Sequence, residues 1–174
     1  QATSRIRWGG DRTDMHIAEF IFLERVVVHQ QVGSKKRALE LVSGLIAAAR
    51  PNLVETEIFD CLVARERLGS TGIGHGIAIP HGRLQTIDRP IGAFAALDKG
   101  VNFDALDGKP VDLVCALLVP EKSTEEHLQI LATLAALFGD ERLREQLRRA
   151  ASAAEAYALL SGDGLAPLRQ AAPL

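Results

Sequence analysis

Residues 111–120 read VDLVCALLVP. Apart from Asp112 near its start, the run is apolar until Pro120 closes it. A short, unbroken apolar run ended by proline is the pattern of a central strand covered on both faces. It is too short to cross a membrane as a helix, which takes roughly 18 residues. Outward from this strand, helical and strand-like patterns alternate. Upstream, residues 26–29, led by three β-branched valines, read as a strand, and residues 77–79 and 91–97 read as further strands. Ser34 can cap a helix over 35–49 with Ala38, Leu41, Val42, Leu45 and Ile46 on its apolar face, and Pro51 ends it. A second helix runs over 54–68 and stops at Gly69. Downstream, Ser123 opens a helix through Phe138, and two shorter helices follow over 141–150 and 153–160. Strands alternating with helices around apolar strands specify an α/β layered domain.

The chain has 174 residues, 47% hydrophobic and 24% charged, which suits one soluble domain with a sizeable core. Its net charge of −2 argues against nucleic acid as a partner, since that requires concentrated positive charge. Cys61 and Cys115 both sit among apolar residues, so reduced, buried thiols and a cytoplasmic setting are expected. Residues 1–14, QATSRIRWGGDRTD, lack a periodic apolar face and read as a disordered or non-native lead, with Met15 as a candidate natural start. The domain is expected over 15–162. The remainder of SGDGLAPLRQAAPL, residues 163–174, is expected to be a flexible tail.

Three polar residues stand where apolar ones are expected. At about 100° per residue, Val54, Ile58, Cys61, Leu62 and Leu68 form one stripe on the second helix. Arg65 falls within that stripe, while Glu66 and Arg67 point elsewhere. An inward guanidinium needs an anion, and its fork of donors suits a carboxylate or phosphate. The alternative is a structural salt bridge, or an aliphatic stem lying on the core rim. In the helix after Ser123, the S-x-x-E pattern of Ser123 and Glu126 predicts a capping box. His127 then lies in the first turn and leads the stripe Leu131, Leu134 and Phe138. A helix N-terminus favours anions and a neutral imidazole, so His127 is expected to be an uncharged hydrogen-bonding group. The alternative is a core histidine satisfied by a backbone carbonyl.

The third is His81, in GSTGIGHGIAIPHGR at 69–83. Pro80 ends the short strand, and Gly82 permits a sharp turn and a close approach. His81 is thus expected at the mouth of a strand end, where open α/β sheets build sites. The glycines upstream make no phosphate-binding loop of the G-K-[ST] type. Ile77, Ile79 and Pro80 are expected to present the site to a partner protein.

The segment GSTGIGHGIAIPHGR resembles the active-site segment of the fructose and nitrogen-regulatory branch of phosphotransferase-system IIA domains. SKKRALELV at 34–42, VARERLG at 63–69, FDALDGKPVDLVCALLVP at 103–120 and EEHLQILATLA at 125–135 follow the same family in order. The likeness covers residues 20–160. It implies a three-layer α/β/α sandwich with a mixed central sheet. It also implies that His81 is the phosphorylated nucleophile, as a tele-phosphohistidine. Arg65 corresponds to the family's active-site arginine, and His127 to its second histidine, which orients the phosphoryl group. Family members commonly carry Asn where this chain has His75, and a surface-loop substitution is expected there.

The resemblance further implies a phosphoryl carrier with no metal and no cofactor. Its donor would be an HPr-type phosphocarrier protein, and its other partners regulatory target proteins. SKKRALE and GSTGIG are more similar to the regulatory branch than to the sugar-transport branch. A stand-alone sugar-transport IIA component passing phosphate to a IIB domain is the second reading. Two rivals from other classes are a metal-dependent hydrolase built on His75, His81 and His127, and a binding module with a degenerate site. The histidines lack the H-E-x-x-H helix spacing, which counts against the first.

Overall fold

The computed structural model describes residues 17–162. The expected lead over 1–14 and the tail over 163–174 lie outside the described residues. Two short 3₁₀ turns, Ile17–Glu19 and Leu23–Arg25, lead into β1 (Val26–Gln30). Helices α1 (Lys35–Ala47) and α2 (Glu55–Leu68) follow. Three short strands come next: β2 (Gly72–Gly74), β3 (Ile77–Ala78) and β4 (His81–Leu84). The long strands β5 (Ile91–Val101) and β6 (Val111–Pro120) precede α3 (Thr124–Phe138), α4 (Glu141–Arg149) and α5 (Ala153–Leu160).

The strands form one sheet in the order β1-β5-β6-β3-β2, with β4 also paired to β6. It is mixed: β1 runs parallel to β5, and β3 and β4 run parallel to β6, whereas β5 pairs antiparallel with β6 and β2 with β3. Side chains along a strand alternate between faces, and here the alternation sorts the core into two halves. Leu113, Cys115, Leu117 and Val119 of β6 pack with Ile130, Leu134 and Phe138 of α3 and with residues of α4 and α5. Val114, Ala116 and Leu118 pack with Ala38, Val42 and Ile46 of α1 and with Ile58 and Leu62 of α2. Five helices in two groups thus sandwich the sheet, and the expected three-layer α/β/α architecture is the one observed. The central strand is apolar on both faces because both faces are covered.

Local chemistry explains most boundaries. Ser34 caps α1 by accepting the Arg37 N–H, Asp140 caps α4 through the N–H groups of Arg142 and Leu143, and Ser152 caps α5 through that of Glu155. The capping box expected at α3 does not close. Ser123 precedes α3, but its side chain accepts no capping hydrogen bond, and the first turn is held instead by the His127 N–H on the Ser123 carbonyl at 2.9 Å.

The strand expected over 77–79 also differs. It breaks after Ala78, and Pro80 interrupts it without leaving the sheet, because the Pro80 carbonyl accepts the Leu117 N–H at 2.9 Å. The chain resumes pairing with β6 at His81, opposite Leu117. His81 therefore opens the second half of an interrupted edge strand rather than sitting beyond a strand end. Parity then matters: His81 and Arg83 stand opposite Leu117 and Val119, on the α3 side, while Gly82 stands opposite Leu118, on the α2 side.

Gly82 is where α2 touches the sheet edge. A Cβ added there would lie 2.3 Å from Cys61 Sγ, well inside contact distance. Gly82→Ala is expected to push α2 off β4 and to lower stability by about 2 kcal/mol, the usual cost of overpacking. An unchanged urea midpoint for that variant would show that α2 yields freely.

Candidate active site

The three singled-out residues meet. Arg65, in the last turn of α2, places Nε 3.2 Å from His81 Nε2. His127, in the first turn of α3, brings its ring centroid to 5.2 Å from that of His81, edge to face at 67°. Three separated stretches converge because the edge strand β4 lies between α2 on one face and α3 on the other.

The protonation of each ring follows from its neighbours. His81 Nδ1 lies 2.8 Å from the Ile79 carbonyl oxygen, which can only accept, so Nδ1 carries the proton. Nε2 is then a bare lone pair, and it accepts from the Arg65 guanidinium. Arg83 donates from Nε to His127 Nδ1 at 3.3 Å, and a guanidinium can only donate. The His127 proton is therefore on Nε2. That atom is buried, and it has no hydrogen-bond partner among the described residues. A buried donor left open costs about 1–3 kcal/mol, which an acceptor arriving beside it would recover. The alternative of a core histidine satisfied by a backbone carbonyl does not hold among the described residues, where the imidazole's hydrogen-bond partner is Arg83.

Both imidazoles are held uncharged. Burial pushes the His81 pKa below its ordinary value, and the Arg65 and Arg83 guanidiniums push it the same way, against the Ile79 carbonyl and Glu66. For His127, burial comes first, followed by His81, Arg83 and Arg65, and the pKa falls to about 4. The expectation of neutrality stands, with burial and adjacent positive charge as its main causes.

A neutral buried histidine has a consequence for acid stability. Between an ordinary value of 6.5 and about 4, the unfolded chain binds a proton at His127 that the folded chain refuses. Stability therefore falls as pH drops through that window. His127→Gln should flatten the decline, as read from urea midpoints at several pH values. Equal slopes for wild type and variant would assign the acid sensitivity elsewhere.

Two charged residues differ from the sequence expectation. Glu66, expected to lie off the apolar stripe, is the buried charge of α2 at 8% exposure, alongside Ile58 and Leu62. Val54 and Leu68, expected in the stripe, are exposed at 48% and 85%. The buried face is rotated by one residue, which leaves Arg65 at its border, half-buried. Arg65 makes no ion pair among the described residues. Its second anchor is the Gly69 carbonyl, at 2.8 Å from Nη1. Arg83 was not singled out at all. Its signal was available, since residues 81 and 83 of a strand share a face. What hid it was the expectation that the strand had already ended at Pro80.

Ile77, Ile79 and Pro80 are buried and cannot meet a partner. The exposed apolar side chains next in sequence to the site are Leu68 and Leu128. His75 lies in the turn between β2 and β3 at φ 57°, a left-handed conformation that asparagine adopts more readily than most residues. Its N–H donates to Asp107 and its carbonyl accepts from Arg148, and no hydrogen bond or ring contact joins it to His81 or His127. Among the described residues, no cluster of three or more His, Cys, Asp or Glu side chains could hold a metal ion, and no helix is long and apolar enough to cross a membrane. Cys115 is buried, with its thiol pushed up to about 12 by desolvation, and both cysteines are free.

Residues 19–162 match the family model of the phosphoenolpyruvate-dependent sugar phosphotransferase system, EIIA 2. The chain belongs to that family. Among its EIIA relatives, a nitrogen regulatory protein of Pseudomonas aeruginosa is 50% identical over 136 residues, covering 78% of this chain and 88% of the relative. The crystal structure of the nitrogen regulatory protein IIA-Ntr from Neisseria meningitidis superposes with a TM-score of 0.77 at 46% identity, covering 83% of this chain and 98% of that one. The IIA mannitol structure from Escherichia coli gives a TM-score of 0.66 at 26% identity, covering 79% and 96%. The resemblance drawn from residues 20–160 was thus to the right family, and within the EIIA family this chain is more similar to the nitrogen-regulatory members than to the mannitol member.

Proposed function

We propose that this EIIA domain is a phosphoryl carrier that accepts phosphate on His81 Nε2 from an HPr-type phosphocarrier and acts as a nitrogen or metabolic regulator through its phosphorylation state. The observation that carries the reading is the tautomer of His81. Its proton is held on Nδ1 by the Ile79 carbonyl, so the Nε2 lone pair faces outward to Arg65 without having to lose a proton.

The His81 Nε2 lone pair attacks phosphorus, the new N–P bond forms as the donor's P–N bond breaks with its electron pair returning to the donor nitrogen, and the proton stays on His81 Nδ1, hydrogen-bonded to the Ile79 carbonyl. Phosphoryl transfer passes through a loose transition state with charge spread over three equatorial oxygens, so positioning and positive charge do most of the work. Arg65 exchanges the ring nitrogen for a phosphoryl oxygen as its acceptor. The open His127 Nε2–H donates to a second oxygen. Arg83 sets the His127 tautomer and adds a second guanidinium. A neutral His81 at physiological pH keeps the lone pair available. Leu68 and Leu128, three residues after Arg65 and one after His127, offer exposed apolar contact for a donor protein.

The names of the relatives favour the regulatory role over sugar transport, and a cytoplasmic location fits both. The test is incubation with phosphoenolpyruvate, enzyme I and an HPr-type donor. Acid-labile, base-stable label on His81 is expected. No label with any cognate donor would leave a binding module. Comparison of proteins retained by the phosphorylated and unphosphorylated forms then separates regulation from transport: a IIB domain as phosphate acceptor would favour transport.

A further inference from the structure

Among the described residues Arg65 has no carboxylate partner, although a carboxylate follows it directly in the chain. That carboxylate, Glu66, is turned inward and fully engaged. Its Oε2 accepts the Thr71 N–H at 3.0 Å and lies 3.1 Å from Lys35 Nζ, and its Oε1 accepts the Thr71 hydroxyl. The Glu66 backbone carbonyl also accepts the Gly69 N–H at 3.2 Å. Residues 69–71 are thus pinned to Glu66 by both its backbone and its side chain. Within that loop, the Gly69 carbonyl is the protein acceptor that holds Arg65 Nη1. A Cβ added at Gly69 would meet no atom within 4 Å, so no side-chain packing at that position fixes the residue. Its carbonyl is placed by the hydrogen bonds of its neighbours.

We infer that Glu66 is a positioning residue for phosphoryl transfer, acting through Thr71 and the Gly69 carbonyl to aim the Arg65 guanidinium at His81 Nε2. The inference rests on the phosphotransfer reading of His81. The division of charge is the physical point. A carboxylate paired directly with Arg65 would orient it but would compete with the phosphoryl oxygens for its donors. With Lys35 as the counter-ion of Glu66, the guanidinium is oriented by a neutral carbonyl and keeps its charge for the transferring group. The same arrangement ties the start of α1, where Lys35 sits, to the end of α2.

Glu66→Gln keeps the size of the side chain but removes the ion pair and one acceptor. Transfer from the phosphocarrier to His81 is expected to slow about tenfold in kcat, with KM for the donor protein changed less than about twofold. On an Arg65→Ala background the same substitution should change the rate less than about twofold, because its effect is carried by Arg65. Thr71→Val should reproduce part of the loss and Thr71→Ser almost none, which keeps the test available if Glu66→Gln folds poorly. In the unphosphorylated protein, the Arg65 Nε–H resonance should exchange with solvent faster in Glu66→Gln than in wild type. That readout needs no donor, so it judges the positioning link even if wild type takes up no phosphate and the phosphotransfer reading fails. A wild-type rate in a folded Glu66→Gln, a fully additive loss with Arg65→Ala, or unchanged Nε–H exchange would overturn the inference.

Discussion

Replacing His81 by alanine is expected to abolish phosphorylation by the phosphocarrier while leaving the fold intact. On the proposed mechanism the His81 Nε2 lone pair is the acceptor of the phosphoryl group, released when Arg65 turns its donor to a phosphoryl oxygen. His127 Nδ1 is unprotonated but occupied by Arg83, and the low His127 pKa reflects burial in a positively charged corner. His81 itself contributes little to packing, being part-exposed on an edge strand, so the circular dichroism and melting of the variant should stay close to wild type. Full labelling of His81→Ala would identify His127 or another residue as the acceptor and would reverse the assignment of tautomers. Label on wild-type His81 at Nδ1 rather than Nε2, distinguishable by phosphorus NMR, would mean that the Ile79 hydrogen bond does not govern the chemistry.

Arg65→Ala is expected to slow transfer by roughly a hundredfold, about 3 kcal/mol, the scale found when one preorganised donor to a developing charge is removed. The loss should fall mainly on the rate of transfer. Arg65 is half-buried and makes no ion pair among the described residues, so its removal leaves no buried partner charge unpaired and should cost little stability. Arg65→Lys should recover only part of the rate, because an ammonium keeps the charge but cannot bond the Gly69 carbonyl and the phosphoryl oxygen in one plane. Single-turnover transfer measured across the two variants would decide between charge and geometry. Equal rates for wild type and Arg65→Ala would reduce Arg65 to a structural link between α2 and its loop.

Three residues of the candidate site were legible because each broke a local pattern: an arginine in an apolar stripe, a histidine leading one, and a histidine between Pro80 and Gly82. Such breaks are visible in one dimension. The errors came where a boundary of one residue changes the answer. Helical spacing alone put Glu66 outside the buried face. Burial instead follows the atoms α2 meets, and Glu66 finds Thr71 and Lys35, which are five residues later and thirty-one residues earlier. Pro80 was read as the end of a strand, yet it lacks only a donor, and its carbonyl still bonds β6. Continuing the strand past it is what carries Arg83 into the site.

The apolar run at 113–119 determined that a strand lies between two covering layers, and the ordered motifs determined the family. These follow from solvent exclusion and chain stiffness, which act locally. The tertiary structure alone decided which nitrogen of each histidine in the site holds its proton, that Arg65 is oriented by a carbonyl rather than a carboxylate, and which acidic side chain of α2 turns inward. Those depend on hydrogen-bond partners brought from distant parts of the chain at distances near 3 Å, and the linear order of residues does not encode those distances.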